Sequence, residues 1–472
     1  MVAVAVPDLR LSVLSDDEER LAHRLLEKLE SHQAKNQQLE AYYDAKQHVR
    51  DLGIAIPPHL RNLEAAIGWP GTAVDALEER LDHDGWDDPD GLGVDEVVDA
   101  NDLNTELAQG RLDSLIYGVA WAVAGAGGDG GPAPLVTVES PKVMTGLWSR
   151  RRKIVTDALL VHTDDEGQVD GATLWSGASM VELGYDGGSR RWQVRDRARN
   201  RLGRPPVHRL VNRPRSSDAD GRSEITRAVR AYTDNAVRTI VAMEVSRDFH
   251  AAPKHWLLGA DEASFVGPDG QPKTAWETYI GRLNAINRDE EGNLPDVKTF
   301  AGASPAPFLE QLRGLAQMMS AEAAIPVAYL GLAHDANPAS ADAALVAEAR
   351  LNKRAERRQS AFAAREAALM RDALWIRDGV APPTVPRPIY RPAATPTLAA
   401  AADATMKLVQ TGILPADSDL TLRRIGLNER DRAALQADRR RARAQQTVTA
   451  LAAAAEQART DTEVAELSDT RQ

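Results

Sequence analysis

Hydrophobic and polar positions along the chain follow two periods, and the change from one to the other divides the sequence. From Ser15 to about residue 50 the period is helical. Leu21, Leu25 and Leu29 share a face, Ser15 is placed to cap, and Asp16, Asp17, Glu18 and Glu19 fill the end where the helix dipole is positive. Ile54-Ala-Ile-Pro-Pro stops the run, because a residue before proline avoids the helical region. Further helices are predicted over 71–81 and 95–118, on either side of an acidic loop containing Gly and Pro. The Gly-rich stretch 125–132 is a turn or loop. Short Val-, Leu- and Trp-rich runs follow at 134–139, 153–162, 172–175 and 191–194. They are broken by the turn sequences Asp164-Asp-Glu-Gly and Tyr185-Asp-Gly-Gly, which predicts a β-rich insert of hairpins.

From Ser223 the helical period returns. With Ser223 as cap and Glu224 in the first turn, Ile225, Val229, Tyr232, Ala236, Ile240 and Met243 form a narrow stripe, the pattern of a helix that packs against like helices. An irregular segment, 250–303, carries turn signals at Gly267-Pro-Asp-Gly and Glu291-Gly-Asn. Ser304 and Pro305 then open a second helix, with Phe308, Leu312, Leu315 and Met319 on one stripe, and Pro326 ends it. After a short loop, Leu330, Gly331, Leu332, Ala333, His334, Asp335, Ala336, Asn337, Pro338 and Ala339, Ser340 caps the longest predicted helix, which runs to about Leu374. Its stripe is Leu351, Ala355, Phe362 and Leu369, interleaved with Arg350, Lys353, Arg354, Arg357 and Arg358. A Pro-rich extended return, 382–396, leads to a final Ala- and Arg-rich helical region. No internal repeat is present. The pattern as a whole predicts an α+β fold, mainly helical.

At 472 residues the chain has the length of about three domains, and 43% apolar with 27% charged residues is ordinary for a soluble globular protein. With no Cys, a disulfide framework, a cysteine-ligated zinc or iron–sulfur site and a thiol nucleophile are all excluded. The longest apolar run, Tyr117 to Ala126, is far too short to span a membrane. The N-terminus lacks a basic region and a long apolar core, so no secretory signal is expected and the chain reads as a protein made and used inside a cell. Net charge is −12, and it lies almost wholly between Thr72 and Glu106, where thirteen acids face only Arg80. This stretch reads as a solvated acidic surface, and the remainder of the chain is neutral. Two segments are strongly basic: 190–215 has ten Arg against Asp196, and 423–443 has eight Arg against three acids. Such runs bind phosphate backbones, or they pair with acids of a neighbouring segment or subunit; the residues alone leave both open.

No catalytic constellation is found. Gly302-Ala-Ser-Pro-Ala is a helix cap rather than a nucleophile elbow, and no phosphate-binding loop, dinucleotide fingerprint or His-Glu-x-x-His is present. His250 and His255, five apart, do not share a helical face, and the acidic loop starting at Asp82 fails the register of a calcium loop. No metal, no cofactor and no enzymatic activity are expected.

Several segments, in order, resemble the portal proteins of tailed double-stranded-DNA phages, particularly those of actinobacteria. They are Tyr42-Tyr-Asp-Ala with Gly53-Ile-Ala-Ile-Pro-Pro and Trp69-Pro, Val74-Asp-Ala-Leu-Glu-Glu-Arg-Leu-Asp leading to Gly85-Trp, Pro206-Val-His-Arg-Leu-Val-Asn-Arg and Gly221-Arg-Ser-Glu-Ile. Pro253-Lys-His-Trp-Leu-Leu-Gly, Ile325-Pro-Val-Ala-Tyr-Leu-Gly and Asn337-Pro-Ala-Ser-Ala-Asp-Ala follow, so the likeness covers about 40–430. Ala45 stands where the family often has Gly, and Lys254-His255 where it has Gln-Arg. The resemblance implies a ring, usually a dodecamer, at one capsid vertex of a virion assembled in the host cytoplasm. Double-stranded DNA would pass through it, and its partners would be the major capsid protein, the terminase motor and head–tail adaptors, with no membrane. It implies a wing (1–222 and the return 376–400), stem helices (223–249 and 304–325) around a clip (250–303), a channel loop and long helix (326–375), and a crown (401–472). The loop from Leu330 to Ala339 would then face DNA. It has no Lys or Arg, as suits a conduit along which DNA slides. Two further readings stand beside this one: a non-enzymatic nucleic-acid-binding protein using the Arg-rich stretches, and an enzyme with an unrecognised site.

Overall fold

A computed structural model describes residues 14–47, 65–128, 130–189, 191–250, 255–258, 296–299, 304–331, 341–394 and 398–469. Described residues of 1–37, 74–224 and 340–472 form one compact unit, and those of 38–73 and 225–339 form a second.

In the first unit, α1 (Asp16–Tyr43) begins on a capping box. The Glu18 amide donates to Ser15 Oγ at 3.4 Å, and the Ser15 amide donates back to the Glu18 carboxylate at 3.0 Å. The hairpins form a five-stranded antiparallel sheet, β4 (Met144–Ser149), β5 (Ile154–Thr163), β6 (Val169–Ser176), β7 (Ser179–Asp186) and β8 (Arg191–Arg199), in chain order. Alternation along the pleat splits their side chains between two cores. Leu159, Val161, Ala172, Leu174 and Val181 meet Ala22, Leu25 and Leu29 of α1. On the opposite face, Ala158, Leu160 and Trp175 meet Trp121, Val123 and Val207. An extra residue at Thr156, where the β4–β5 register shifts, brings Val155 onto that second face. Each buried Leu or Val contributes roughly 1.5–3 kcal/mol.

Behind this lies a three-stranded antiparallel sheet ordered β3 (Leu135–Glu139), β2 (Val119–Gly125), β9 (Val207–Val211). Gly118 (φ +105°) and Gly221 (φ +80°) let the backbone cross closely at its end. A Cβ on Gly221 would lie 2.4 Å from the Gly118 carbonyl and 2.5 Å from that of Asn212. Two other helices, α2 (Trp69–Glu78) and α4 (Leu103–Tyr117), match predicted ones, but the expected 95–118 helix is broken, with α3 (Val94–Ala100) separate. The Asn101 amide explains the break: it donates to Val97 O and Pro134 O and accepts from the Val136 amide at 2.8 Å, so it pins β3 instead of continuing the helix. The acidic loop is also not all loop. β1 (His83–Asp87) pairs antiparallel with β12 (Arg387–Tyr390) of the Pro-rich return.

The second unit is built on α5 (Arg227–His250) and α6 (Ala306–Ala323), which pack on each other. The α5 cap is Thr226, whose Oγ accepts from the Val229 amide, rather than Ser223. Ser304 Oγ accepts from the Ala306 amide at 3.2 Å, but Pro305 itself takes the N-cap position, one residue later than the sequence predicts. The helix ends at Ala323 with Ala324 in the left-handed region, one residue pair before Pro326, and a 3-10 turn, Val327–Leu330, follows. Inside 250–303 two strands, β10 (His255–Leu258) and β11 (Asp296–Thr299), pair antiparallel, so that segment is not wholly irregular; its two turn signals lie outside the described residues.

The first unit also contains α7 (Ala341–Asp378), α8 (Leu398–Gln410), α9 (Asp419–Ile425) and α10 (Glu429–Asp469), the last being longer than α7. Among the described residues, no helix is long and apolar enough to cross a membrane.

Candidate functional site

The stripe Leu351, Ala355, Phe362 and Leu369 on α7 is fully buried, against β2 and β9. At about 100° per residue those four positions share one strip of the helix, and charges flank it: half-buried Arg354 with buried Arg358 and Asp372 on one side, buried Glu366 on the other. Each meets a partner supplied by another element.

Glu224, assigned from sequence to a helix first turn, is instead a buried carboxylate. Arg358 Nη2 reaches it at 2.6 Å, Arg213 at 3.4 Å, and Arg354 also binds it. Asn212 donates to it at 3.0 Å and accepts from Arg358 Nε at 3.0 Å, while the Glu224 amide donates to Leu115 O. Burial alone would raise this carboxyl, but Arg354 and Arg358 hold it below its ordinary range. Glu366 is the centre of a second cluster: Tyr390 OH donates to it at 2.6 Å, Arg111 Nη1 at 3.1 Å, and His83 Nε2 lies at 3.1 Å. Burial pushes Glu366 up and the bonds and charges of His83 and Arg111 more than reverse this, whereas burial and the adjacent Glu366 charge raise the Tyr390 hydroxyl. In the third, Asp372 receives Arg204 Nη2 at 2.6 Å and His208 Nε2 at 2.8 Å. Burial lowers His208, so the imidazole stays neutral and donates to an ionised Asp372. Arg80, alone among thirteen acids, makes a fourth tie, donating to Asn352 and Glu348 at 3.0 Å each. The arrangement clamps a 38-residue helix at four places along its length, because sliding or rotating α7 would strip partners from buried charges.

Of the stem residues named from sequence, Ile225, Val229, Leu312, Leu315 and Met319 are buried within the chain. Tyr232, Ile240, Met243 and Phe308 are half-buried, whereas Thr233, Val237, Val241 and Val245 are the buried positions along this part of α5. Thr226 Oγ1 donates to Glu322 at 2.9 Å, joining the start of α5 to the end of α6. Tyr42 OH donates to Asp234 at 2.9 Å, and burial with that bond pushes its hydroxyl up to about 12. At the head of the expected channel loop, Leu330 is buried with its carbonyl accepting from Trp69 Nε1 at 3.3 Å, and Gly331 adopts φ +75°. Leu332, Ala333, His334, Asp335, Ala336, Asn337, Pro338 and Ala339 lie outside the described residues.

The basic stretches are substantially occupied. Arg197 pairs with Glu18, Arg204 with Asp372, Arg209 with Asp220 and Arg213 with Glu224. Arg432 and Arg423 both reach Asp84, which is buried, so the acidic stretch is not all solvated surface. Sequence reasoning passed over Glu366, Asp372, His208 and His83. Two signals could have found them: the helical wheel of α7, and a His-Arg pair inside the otherwise apolar run 207–211.

A family model described as "Phage portal protein, SPP1 Gp6-like" matches residues 22–446. The chain belongs to this family. The portal protein of Mycobacterium phage L5 is 32% identical over 388 residues, covering 79% of this chain and 78% of its own; that of Mycobacterium phage D29 is 31% identical with the same coverage. A chain from the virion of a native gene transfer agent particle aligns over 76% of this chain and 90% of its own at TM-score 0.44 and 17% identity. Portal proteins are virion components, and the four ties along α7 belong to a portal-family subunit with the α+β composition expected of it.

Proposed function

We propose that this chain assembles into a ring, usually a dodecamer in the family it belongs to, at one capsid vertex. The ring is the conduit for DNA packaging and ejection; it docks the terminase motor and later the head–tail adaptors, and it acts without catalysing a reaction. Family membership across 22–446 carries the reading. Two features agree with it. The α5–α6 pair keeps apolar side chains at its margin, with Tyr232, Ile240 and Met243 half-buried and Leu309 and Met318 exposed, as a helix pair with further neighbours requires. The Leu330–Ala339 loop has no Lys or Arg to hold DNA in place.

Native mass spectrometry with negative-stain imaging tests the ring: about a dozen subunits around a hole is the expected result, and a particle of fixed, smaller number under all assembly conditions, scaffold included, overturns it. Ile240→Asp is expected to abolish assembly while leaving the chain folded, since it puts a charge on the shared stripe. Deleting Leu330 to Ala339 should spare the ring and impair packaging or retention of DNA.

A further inference from the structure

The five-stranded sheet ends in an edge without a strand beside it among the described residues: β8 pairs only with β7. At the other end of the sheet, side chains of α1 cover the β4 edge, with Lys28 Nζ on Gly146 O and Gln33 Nε2 on Lys142 O. The β8 strand is nine residues long and carries four arginines against Asp196. Like charges would face each other if two copies of this strand met, so the edge rejects self-pairing and favours an acidic strand.

Directly after β8 the chain enters a cavity of about 430 Å³. Trp175, Met180, Leu202 and Trp375 give it apolar walls, Asn200 lies in it, and Arg199 and Arg201 stand exposed at its rim. The Asn200 backbone amide donates to Ala178 O at 2.9 Å, extending the β7–β8 ladder into the cavity. Its side-chain Oδ1 and Nδ2 are both buried without a partner, and so is Trp175 Nε1. A buried amide missing its bonds destabilises the free chain by about 1–3 kcal/mol, which is tolerated where something else supplies them. One free donor beside one free acceptor is the complement of a peptide group.

We propose that β8 and the Asn200 cavity form one docking site for an extended acidic segment of a protein partner. The segment adds as a sixth strand along β8, and its carboxylates face Arg199 and Arg201, neither of which has a carboxylate partner among the described residues. A large apolar side chain enters between Trp175 and Trp375, and the adjoining peptide group bonds both atoms of the Asn200 amide. Backbone pairing supplies the affinity, and the cavity and charge supply the specificity.

The test uses the full-length protein and fluorescein-labelled acetyl-Asp-Val-Glu-Val-Asp-Phe-Asp-amide as probe, read by anisotropy and by quenching of tryptophan emission. Binding on the order of micromolar is expected, weakened about tenfold when Phe is replaced by Ala and abolished by N-methylation of alternate backbone amides. Asn200→Ala should weaken the probe about tenfold while leaving Tm unchanged or raised, because it removes two unpaired polar atoms; a merely structural asparagine would lower Tm and leave binding alone. Arg199→Glu with Arg201→Glu should remove binding. No binding up to about 1 mM, binding indifferent to Asn200→Ala, or preferential binding of single-stranded oligothymidine at the same tryptophans would each overturn the proposal.

Discussion

The two longest helices among the described residues, α7 and α10, are both rich in alanine and arginine and differ by three residues in length, yet their arginines do opposite things. On α7, Arg354 and Arg358 are drawn into the interior and bind Glu224. On α10, Arg432 is buried against Asp84, but every described side chain from Arg440 to Ala455 is exposed, including Val448 and Leu451 at 66% each. Composition therefore does not decide where an arginine goes. Leu351, Ala355, Phe362 and Leu369 recur at helical spacing and pull their face of α7 onto β2 and β9; charges beside that strip are carried in and need partners. α10 has no comparable strip, so its charges stay in water.

If that account holds, the largest effect should come from leaving buried charges of the α7 clusters without a partner. Glu366→Ala strands Arg111 and the Tyr390 hydroxyl and is expected to destabilise the chain by about 3–5 kcal/mol, read as a drop in urea midpoint. Asp372→Asn keeps the shape but removes the charge facing Arg204 and His208, and a loss of about 2 kcal/mol at neutral pH is expected. Chemical denaturation as a function of pH sharpens this. Glu224, Glu366 and Asp372 all lie below their ordinary values when folded, so their contribution is complete above about pH 5 and is lost as the pH falls through the lowered values. His208 is held neutral, so the unfolded chain alone takes up its proton from about pH 6.5 downward and stability declines there too. Asp372→Asn should flatten the acid part of that curve, and a curve identical to the parent would place the pH dependence elsewhere. The smallest effect belongs to α10. Leu451→Ser should change the stability of the isolated chain by less than about 0.5 kcal/mol, and a larger loss would mean that the helix packs in solution against part of its own chain.

The sequence made much of this legible. The first helix could be read, from Ser15 to about residue 50, by its cap, acidic first turn and leucine spacing, the hairpins by short apolar runs between Gly-containing turns, and the α7 stripe by four residues. Of the strands that were missed, four have identifiable reasons. Val119–Gly125 reads as one continuous apolar run because it is covered on both faces. Val207–Val211 hides as a strand because His208 and Arg209 break its apolar pattern while serving partners far along the chain. Met144–Ser149 and Ser179–Asp186 alternate too weakly to stand apart from their turns.

By itself, then, the sequence determined the periods, the caps, the order of family segments and the absence of thiol chemistry, because these depend on residues near one another or on composition. The tertiary structure decided which charges are buried and what they meet: Glu224 with arginines 130 and 134 residues away, Glu366 with Arg111 at a separation of 255, and Asp372 with His208 at 164. A buried charge is tolerated only where a partner arrives. Which partner arrives depends on how β9, α4 and the turn at Glu224 are brought to the long helix, and no local pattern encodes that.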